Sequence, residues 1–178
     1  VIIRSATTIT KEVIKNAEKL LVIGRAGIGL DNVDVNAATE QGVMVVNAPK
    51  SNILSAAEHT IALILAQARN IPQANSALKS GRWERNEWTG VELADKTLGI
   101  IGLGRIGKLV AQRALAFGMN LVAYDPFVAA ERARQLSVQL MSLKELIQIS
   151  DFLTIHVAKT PETENLINAE LLSHAKPC

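Results

Sequence analysis

Three glycines and one carboxylate carry the clearest chemistry in this chain. Gly102, Gly104 and Gly107 stand in the run Gly102-Leu103-Gly104-Arg105-Ile106-Gly107, and Asp125 follows roughly 20 residues later. The spacing suits a pyrophosphate. Gly102 permits a tight turn, Gly104 lets backbone approach phosphate with no side chain between, and Gly107 lets a following helix press on a sheet. The first-turn N–H groups of that helix, around Arg105 and Ile106, then face the phosphates with the positive end of the helix dipole. Asp125 suits a ribose hydroxyl and repels a 2′-phosphate. Pro126 and Phe127 follow it, with no arginine there to receive that phosphate, which predicts NAD rather than NADP.

The elements needed to hold these residues are legible around them. An apolar strand, 97–101, runs into the glycines, a helix pattern covers 105–117, and a second strand, 120–124, ends at Asp125. Further strands are predicted at 138–140 and 152–157, and helices at 128–135 and 142–149. Four strands fall short of the six of a complete domain of this kind, and the last would form an exposed edge.

Upstream, residues 1–48 alternate in the same way. Strands are predicted at 1–4, 20–23 and 43–46, and helices at 10–20, with Thr10 as N-cap, and at 32–41, stopped by Gly42. Gly24 to Gly29 reads as a glycine loop, and Asn47-Ala48-Pro49 breaks the pattern. Ser55-Ala56-Ala57-Glu58 reads as a capping box opening a helix over 55–69, apolar on nearly all sides and therefore expected to be buried. Residues 75–92, with Trp83 and Trp88, read as a helix end and a crossing loop. The fold class expected is α/β: an incomplete Rossmann-type domain over 49–178, and part of a second, flavodoxin-like α/β domain over 1–48.

Composition sets limits. The chain has 178 residues, 48% hydrophobic and 20% charged, with a net charge of +2 and no basic block. Nothing points to nucleic acid or an anionic membrane. The single cysteine, Cys178, allows neither an internal disulfide nor a thiolate metal cluster, which suits a reducing cytoplasm. No metal site is expected. The longest apolar stretch, 53–68, carries Glu58, His59 and Gln67, a poor bilayer span. With no initiator methionine and no marked finish at Lys176-Pro177-Cys178, the sequence reads as a piece of a longer protein.

Several segments together resemble the NAD-dependent D-2-hydroxyacid dehydrogenases: Arg4-Ser5-Ala6-Thr7, Gly24 through Asp34, Asn47-Ala48-Pro49, Ser55 through Glu58, Gly81 through Arg85, the glycine run with Asp125, and His156 through Thr163. The resemblance implies two domains, with residues 1–48 belonging to the substrate side and the helix from Ser55 acting as a hinge. Within the family it points to reversible oxidation of 3-phosphoglycerate to 3-phosphohydroxypyruvate, in serine biosynthesis. Arg4 and Arg25, each expected to follow a strand, would grip phosphate or carboxylate oxygens, joined by Ser5. Solvated surface arginines remain the alternative. Gly27, Ile28 and Gly29 could offer backbone N–H groups as an anion nest, with Ile28 also on the cofactor side, or form a plain turn. Asn47 is read either as a cleft residue or as an Asx-turn before Pro49.

The same resemblance places His156, Val157 and Ala158 in a cofactor loop, where the family more often has proline in place of Ala158. His156 is thereby a loop residue and not a base. The family's catalytic arginine, glutamate and histidine match no position here, so no catalytic residue is assigned and this polypeptide alone is expected to be inactive. The full-length protein is expected to form a homo-oligomer. Two other readings stay open: a dehydrogenase of another D-2-hydroxy acid, and a NAD-sensing interaction protein resembling the related corepressors.

Overall fold

A computed structural model describes residues 1–177. Cys178, on which the disulfide expectation rested, lies outside the described residues. The chain divides into two compact units, Val1–Ile53 and the residues from Leu54 onward.

In the first unit, β1 (Ile2–Ile3), β2 (Val22–Arg25) and β3 (Met44–Asn47) form a parallel sheet in the order β1-β2-β3. Two short helices connect them. Helix α1 (Lys11–Lys15) starts where Thr10 Oγ1 accepts the Val13 N–H. It ends at Lys15, with Asn16 as C-cap, well short of the expected Leu20. Helix α2 (Val35–Glu40) is capped by Asp34, whose Oδ1 accepts the Ala37 N–H at 2.9 Å. The core is small: Ile3, Ile9, Ile14, Ile23, Val33, Ala37, Ala38 and Val43. It lies on one side of the sheet. Strand alternation puts Ile2, Val22, Met44 and Val46 on the other, and all four are exposed.

In the second unit a parallel sheet has the order β6-β5-β4-β7. These strands are β4 (Thr97–Ile101), β5 (Asn120–Tyr124), β6 (Val138–Leu140) and β7 (Phe152–Ile155). Right-handed crossovers lay helices on both faces of such a sheet. One layer holds α3 (Ile53–Ala68) and α5 (Arg105–Ala116), whose Val110, Ala111 and Ala114 close a core with Leu98, Ile100 and Leu121. The other holds α7 (Leu143–Ile149) and α8 (Ala169–Leu172), with Ile101, Val122, Leu146 and Ile147 buried between. The α6 helix (Ala130–Arg134) leads into β6, and α4 (Ile71–Lys79) follows α3 after Asn70 turns left-handed at φ 52°.

Several expectations need correction. Helix α3 begins at Ile53, so Ser55 sits within its first turn and is no N-cap. The chain is already turning there, with the Ser51 N–H donated to the Ala48 carbonyl. The box forms at Ser142 and Glu145 instead, where each side chain accepts the other's backbone N–H. Glu58 faces Arg113 at 3.9 Å. Helix α3 buries a single stripe, Ala57, Ile61, Ile64 and Ala68, and leaves Leu54 and Leu63 exposed. Helix α8 was not anticipated. Strand β7 stops at Ile155, leaving His156 and Val157 beyond its end. It is an edge strand as expected, with Ile155 exposed.

Candidate functional site

The glycine turn hangs from the C-terminal end of β4 and is fixed from both neighbouring strands. Gly102 N–H donates to the Tyr124 carbonyl (2.9 Å), and His156 N–H donates to the Ile101 carbonyl (2.7 Å). Leu103 N–H donates to Asp125 Oδ2 (2.8 Å), while Asp125 Oδ1 accepts the Phe127 N–H (2.9 Å). The carboxylate thus ties the turn to the end of β5, and each of its oxygens keeps a lone pair for a further donor. Gly102 has φ +94°, and a Cβ there would meet the His156 carbonyl oxygen at 2.8 Å. A Cβ on Gly107 would run into the Gly102 carbonyl, so α5 can lie this close only with glycine at that position.

Gly104 differs: a Cβ would project into open space. Its bare backbone opens directly onto a cavity of about 460 Å³ at the C-terminal ends of the strands. The chain leaves β4 toward β5 and β6, then returns to β7 on the opposite side of β4. In open parallel sheets, ligands bind at such a reversal. One wall is Gly102, Gly104, Tyr124, Asp125, Pro126 and Phe127. The other is His156, Val157, Ala158, Thr160, Glu162, Thr163 and Leu166.

The lining residues include two carboxylates, Asp125 and Glu162, and no lysine or arginine. Glu162 is held below the usual carboxylate range by the Thr160 hydroxyl. Burial pushes His156 below the ordinary histidine value, and its Nε2 lies 2.8 Å from Thr154 Oγ1. The residues present fit a dinucleotide: a cradle without a side chain before a helix N-terminus, an acid at the next strand end, and apolar rims at Pro126, Val157 and Leu166. The acids disfavour an extra phosphate.

In the first unit, Arg4, Ser5 and Arg25 line a separate cavity of about 700 Å³ with Ala26, Gly27, Ala48, Ser51 and Asn52. The two guanidinium-bearing residues do come together. Arg25, however, is the last residue of β2 rather than part of a loop. Its side chain folds back over Gly27, where a Cβ would coincide with the guanidinium. Gly27 N–H is already donated to the Arg25 carbonyl, which removes it from the expected anion nest. Ile28 and Gly29 do not line this cavity. Asn47 Nδ2 donates to the Ile28 carbonyl at 2.7 Å and braces the loop.

Asn32, unremarked in the sequence, organises this corner. It is buried, its Nδ2 donates to the carbonyls of Arg4 (2.9 Å) and Thr7 (2.6 Å), and its Oδ1 accepts from Arg25 Nε (3.4 Å). In the second unit, sequence reasoning stopped at Ala158 and missed Tyr124, Phe127, Thr160, Glu162, Thr163 and Leu166 as lining residues. The Thr160-Pro161-Glu162-Thr163 run was the available signal, since two hydroxyls flanking a proline and an acid mark a self-bonded turn. Arg105, Ile106 and Gly107 sit in the first turn of α5, directly after the lining residue Gly104, and are not themselves among the lining residues. Among the described residues no cluster of His, Cys, Asp and Glu could hold a metal, and no helix is long and apolar enough to cross a membrane.

Comparison with known proteins agrees with this geometry. Residues 61–178 match the family model "D-isomer specific 2-hydroxyacid dehydrogenase, NAD binding domain". D-3-phosphoglycerate dehydrogenase of Mycobacterium bovis is 54% identical over 176 residues, covering 99% of this chain and 33% of the relative. The enzyme of that name from Methanocaldococcus jannaschii is 52% identical over 98% of this chain and 34% of its own length. The chain therefore spans about one third of the length of these curated relatives. A solved NAD-dependent formate dehydrogenase from Staphylococcus aureus, in complex with NAD, superposes with a TM-score of 0.89 at 37% identity, over 98% of this chain and 53% of that one.

Proposed function

The chain belongs to the D-isomer specific 2-hydroxyacid dehydrogenases, with NAD as the cofactor of its nucleotide domain, and from that premise we propose that it is the cofactor-binding and part of the substrate-binding portion of a D-3-phosphoglycerate dehydrogenase. The observation that carries the substrate assignment is identity of 46–54% to enzymes of that name over almost the whole chain. The chemistry is oxidation of a 2-hydroxy acid to a 2-keto acid, with NAD⁺ supplying the hydride acceptor when bound.

In this reading Gly102 and Gly104 admit the pyrophosphate, the first turn of α5 at Arg105 and Ile106 donates to it, and Gly107 keeps α5 close. Asp125 accepts from the adenosine ribose. Pro126, His156, Val157 and Ala158 form the cavity walls. Residues 1–48 serve the substrate. Arg4, Ser5 and Arg25 take its anionic groups, while Gly27, Ile28, Gly29 and Asn47 shape the loop beneath. A doubly anionic acid suits two adjacent guanidinium groups better than lactate or formate would. We place the parent enzyme in the cytoplasm, as a homo-oligomer.

Titration with NAD⁺ tests the cofactor part: saturable binding is expected, with NADP⁺ at least about tenfold weaker, a difference of ~1.4 kcal/mol. Comparable affinity for both overturns the role of Asp125. For the substrate part, 3-phosphoglycerate should shift the amide resonances of Arg4 and Arg25, and glycerate should do so far more weakly. Equal responses would favour another 2-hydroxy acid.

A further inference from the structure

The distal wall of the cofactor cavity is a loop that is itself neither strand nor helix. It runs from the end of β7 to α8. Its near end is tied down by the His156 N–H on the Ile101 carbonyl, and its far end by Leu166 and Ile167, packed against the Ile101, Leu146 and Ile147 cluster. Between them, residues 157–163 provide Val157, Ala158, Thr160, Glu162 and Thr163 to the cavity. Val157, Ala158 and Lys159 are exposed, as are Pro161 and Glu162, so burial does not hold this stretch.

One hydroxyl bridges it. Thr163 Oγ1 accepts the Thr160 N–H at 2.8 Å and donates its single proton to the Ala158 carbonyl at 2.6 Å, the shortest of its contacts. The backbone closes the same knot, with the N–H groups of Thr163 and Glu164 both on the Thr160 carbonyl at 3.1 and 3.0 Å. Position 158 is alanine, which leaves the backbone torsions free at that point. Ala158 is therefore fixed to the rest of the loop through the Thr163 side chain. A threonine hydroxyl with one donor and a used acceptor is well employed here, and a methyl in its place would leave an amide and a carbonyl to solvent.

We infer that Thr163 is a positioning residue for the cofactor: its hydroxyl latches the 157–163 loop into the shape that walls the dinucleotide cavity. This rests on the NAD-binding reading of that cavity. A loop held in this shape by its own hydrogen bonds lowers the ordering cost that binding would otherwise bear.

Three forms of the chain decide the matter: wild type, Thr163→Val and Thr163→Ser. Each is titrated with NAD⁺ and followed by amide hydrogen exchange at Thr160. The valine variant is isosteric and should bind NAD⁺ roughly five- to tenfold more weakly, the effect of about one net hydrogen bond. Thr160 exchange should speed up while the thermal midpoint stays near that of wild type. The serine variant, which keeps the hydroxyl, should restore both readouts. Should Thr163→Val melt early, Thr163→Ala deletes the hydroxyl without adding a γ-methyl, and Thr163→Ser, which differs from it only by the hydroxyl, is its control. Wild-type affinity in the valine variant overturns the latch alone, and so does a serine variant as weak as valine, which would assign the effect to packing. A wild-type chain with no saturable NAD⁺ binding overturns the cofactor reading and the latch with it.

Discussion

Asp125 does two jobs at once, and each has its own measurable consequence. Its oxygens hold the Leu103 and Phe127 amides, so it builds the turn as well as lining the cavity. Asp125→Ala should therefore weaken NAD⁺ binding by about 10- to 100-fold, the range of charge-assisted hydrogen bonds. Unlike a purely peripheral change, it should also lower the melting temperature. Calorimetric titration and thermal scans on the same variant check both. His156 gives a second prediction. Burial lowers its folded-state pKa below the unfolded value near 6.5. The unfolded chain then binds the extra proton more readily, so stability falls as pH drops below about 6.5 toward the folded-state value. Thermal midpoints should fall between pH 7 and pH 5.5, and His156→Gln should flatten that part of the profile.

Between elements, the informative contrast is two serine-glutamate pairs with the same spacing. Ser55 and Glu58 looked like a cap, yet Ser142 and Glu145 are one. Local sequence cannot separate them, because the difference lies upstream. At β6 the sheet ladder runs on to Met141, whose N–H donates to the Ala123 carbonyl, so the helix cannot begin before Ser142. Ahead of Ser55 the chain has left its strand and is turning, so the helix starts early. Removal of the true cap by Ser142→Ala should cost about 1 kcal/mol in urea unfolding. Gly107→Ala tests the packing of α5 on β4. Its methyl meets the Gly102 carbonyl, and a loss of about 1–3 kcal/mol is expected.

Over the whole chain, the two units have unequal cores. The nucleotide unit buries apolar side chains on both faces of its sheet, whereas the first unit buries eight apolar residues on one face and leaves Ile2, Val22, Met44 and Val46 open. Parallel sheets are ordinarily covered on both faces, so the first unit should open more readily. Hydrogen exchange should show weaker protection at Ile23 and Val45 than at Ile100 and Val122. Leu146→Ala, in a fully buried position of the second unit, should cost about 2–5 kcal/mol. A closing contact at the base of the second sheet titrates too. Asp151 is lowered by the Lys176 ammonium and the Thr97 N–H, so its contribution is present above the ordinary carboxylate range and is lost as pH falls through its folded value.

Residue order alone was enough to establish the α/β class, the strands at 97–101, 120–124 and 138–140, the glycine turn and its acid. These depend on local periodicity and on backbone freedom at named glycines, properties that reside in short stretches of chain. Tertiary structure decided what those stretches meet. It chose which serine caps a helix, set Arg25 on a strand with its guanidinium over Gly27, turned Asn47 into a brace, and buried Asn32 among the Arg4, Thr7 and Arg25 groups. It also brought the 157–163 loop across from Asp125. Partners far apart in sequence meet only when the sheet register brings them within hydrogen-bonding distance, and no local pattern encodes that register.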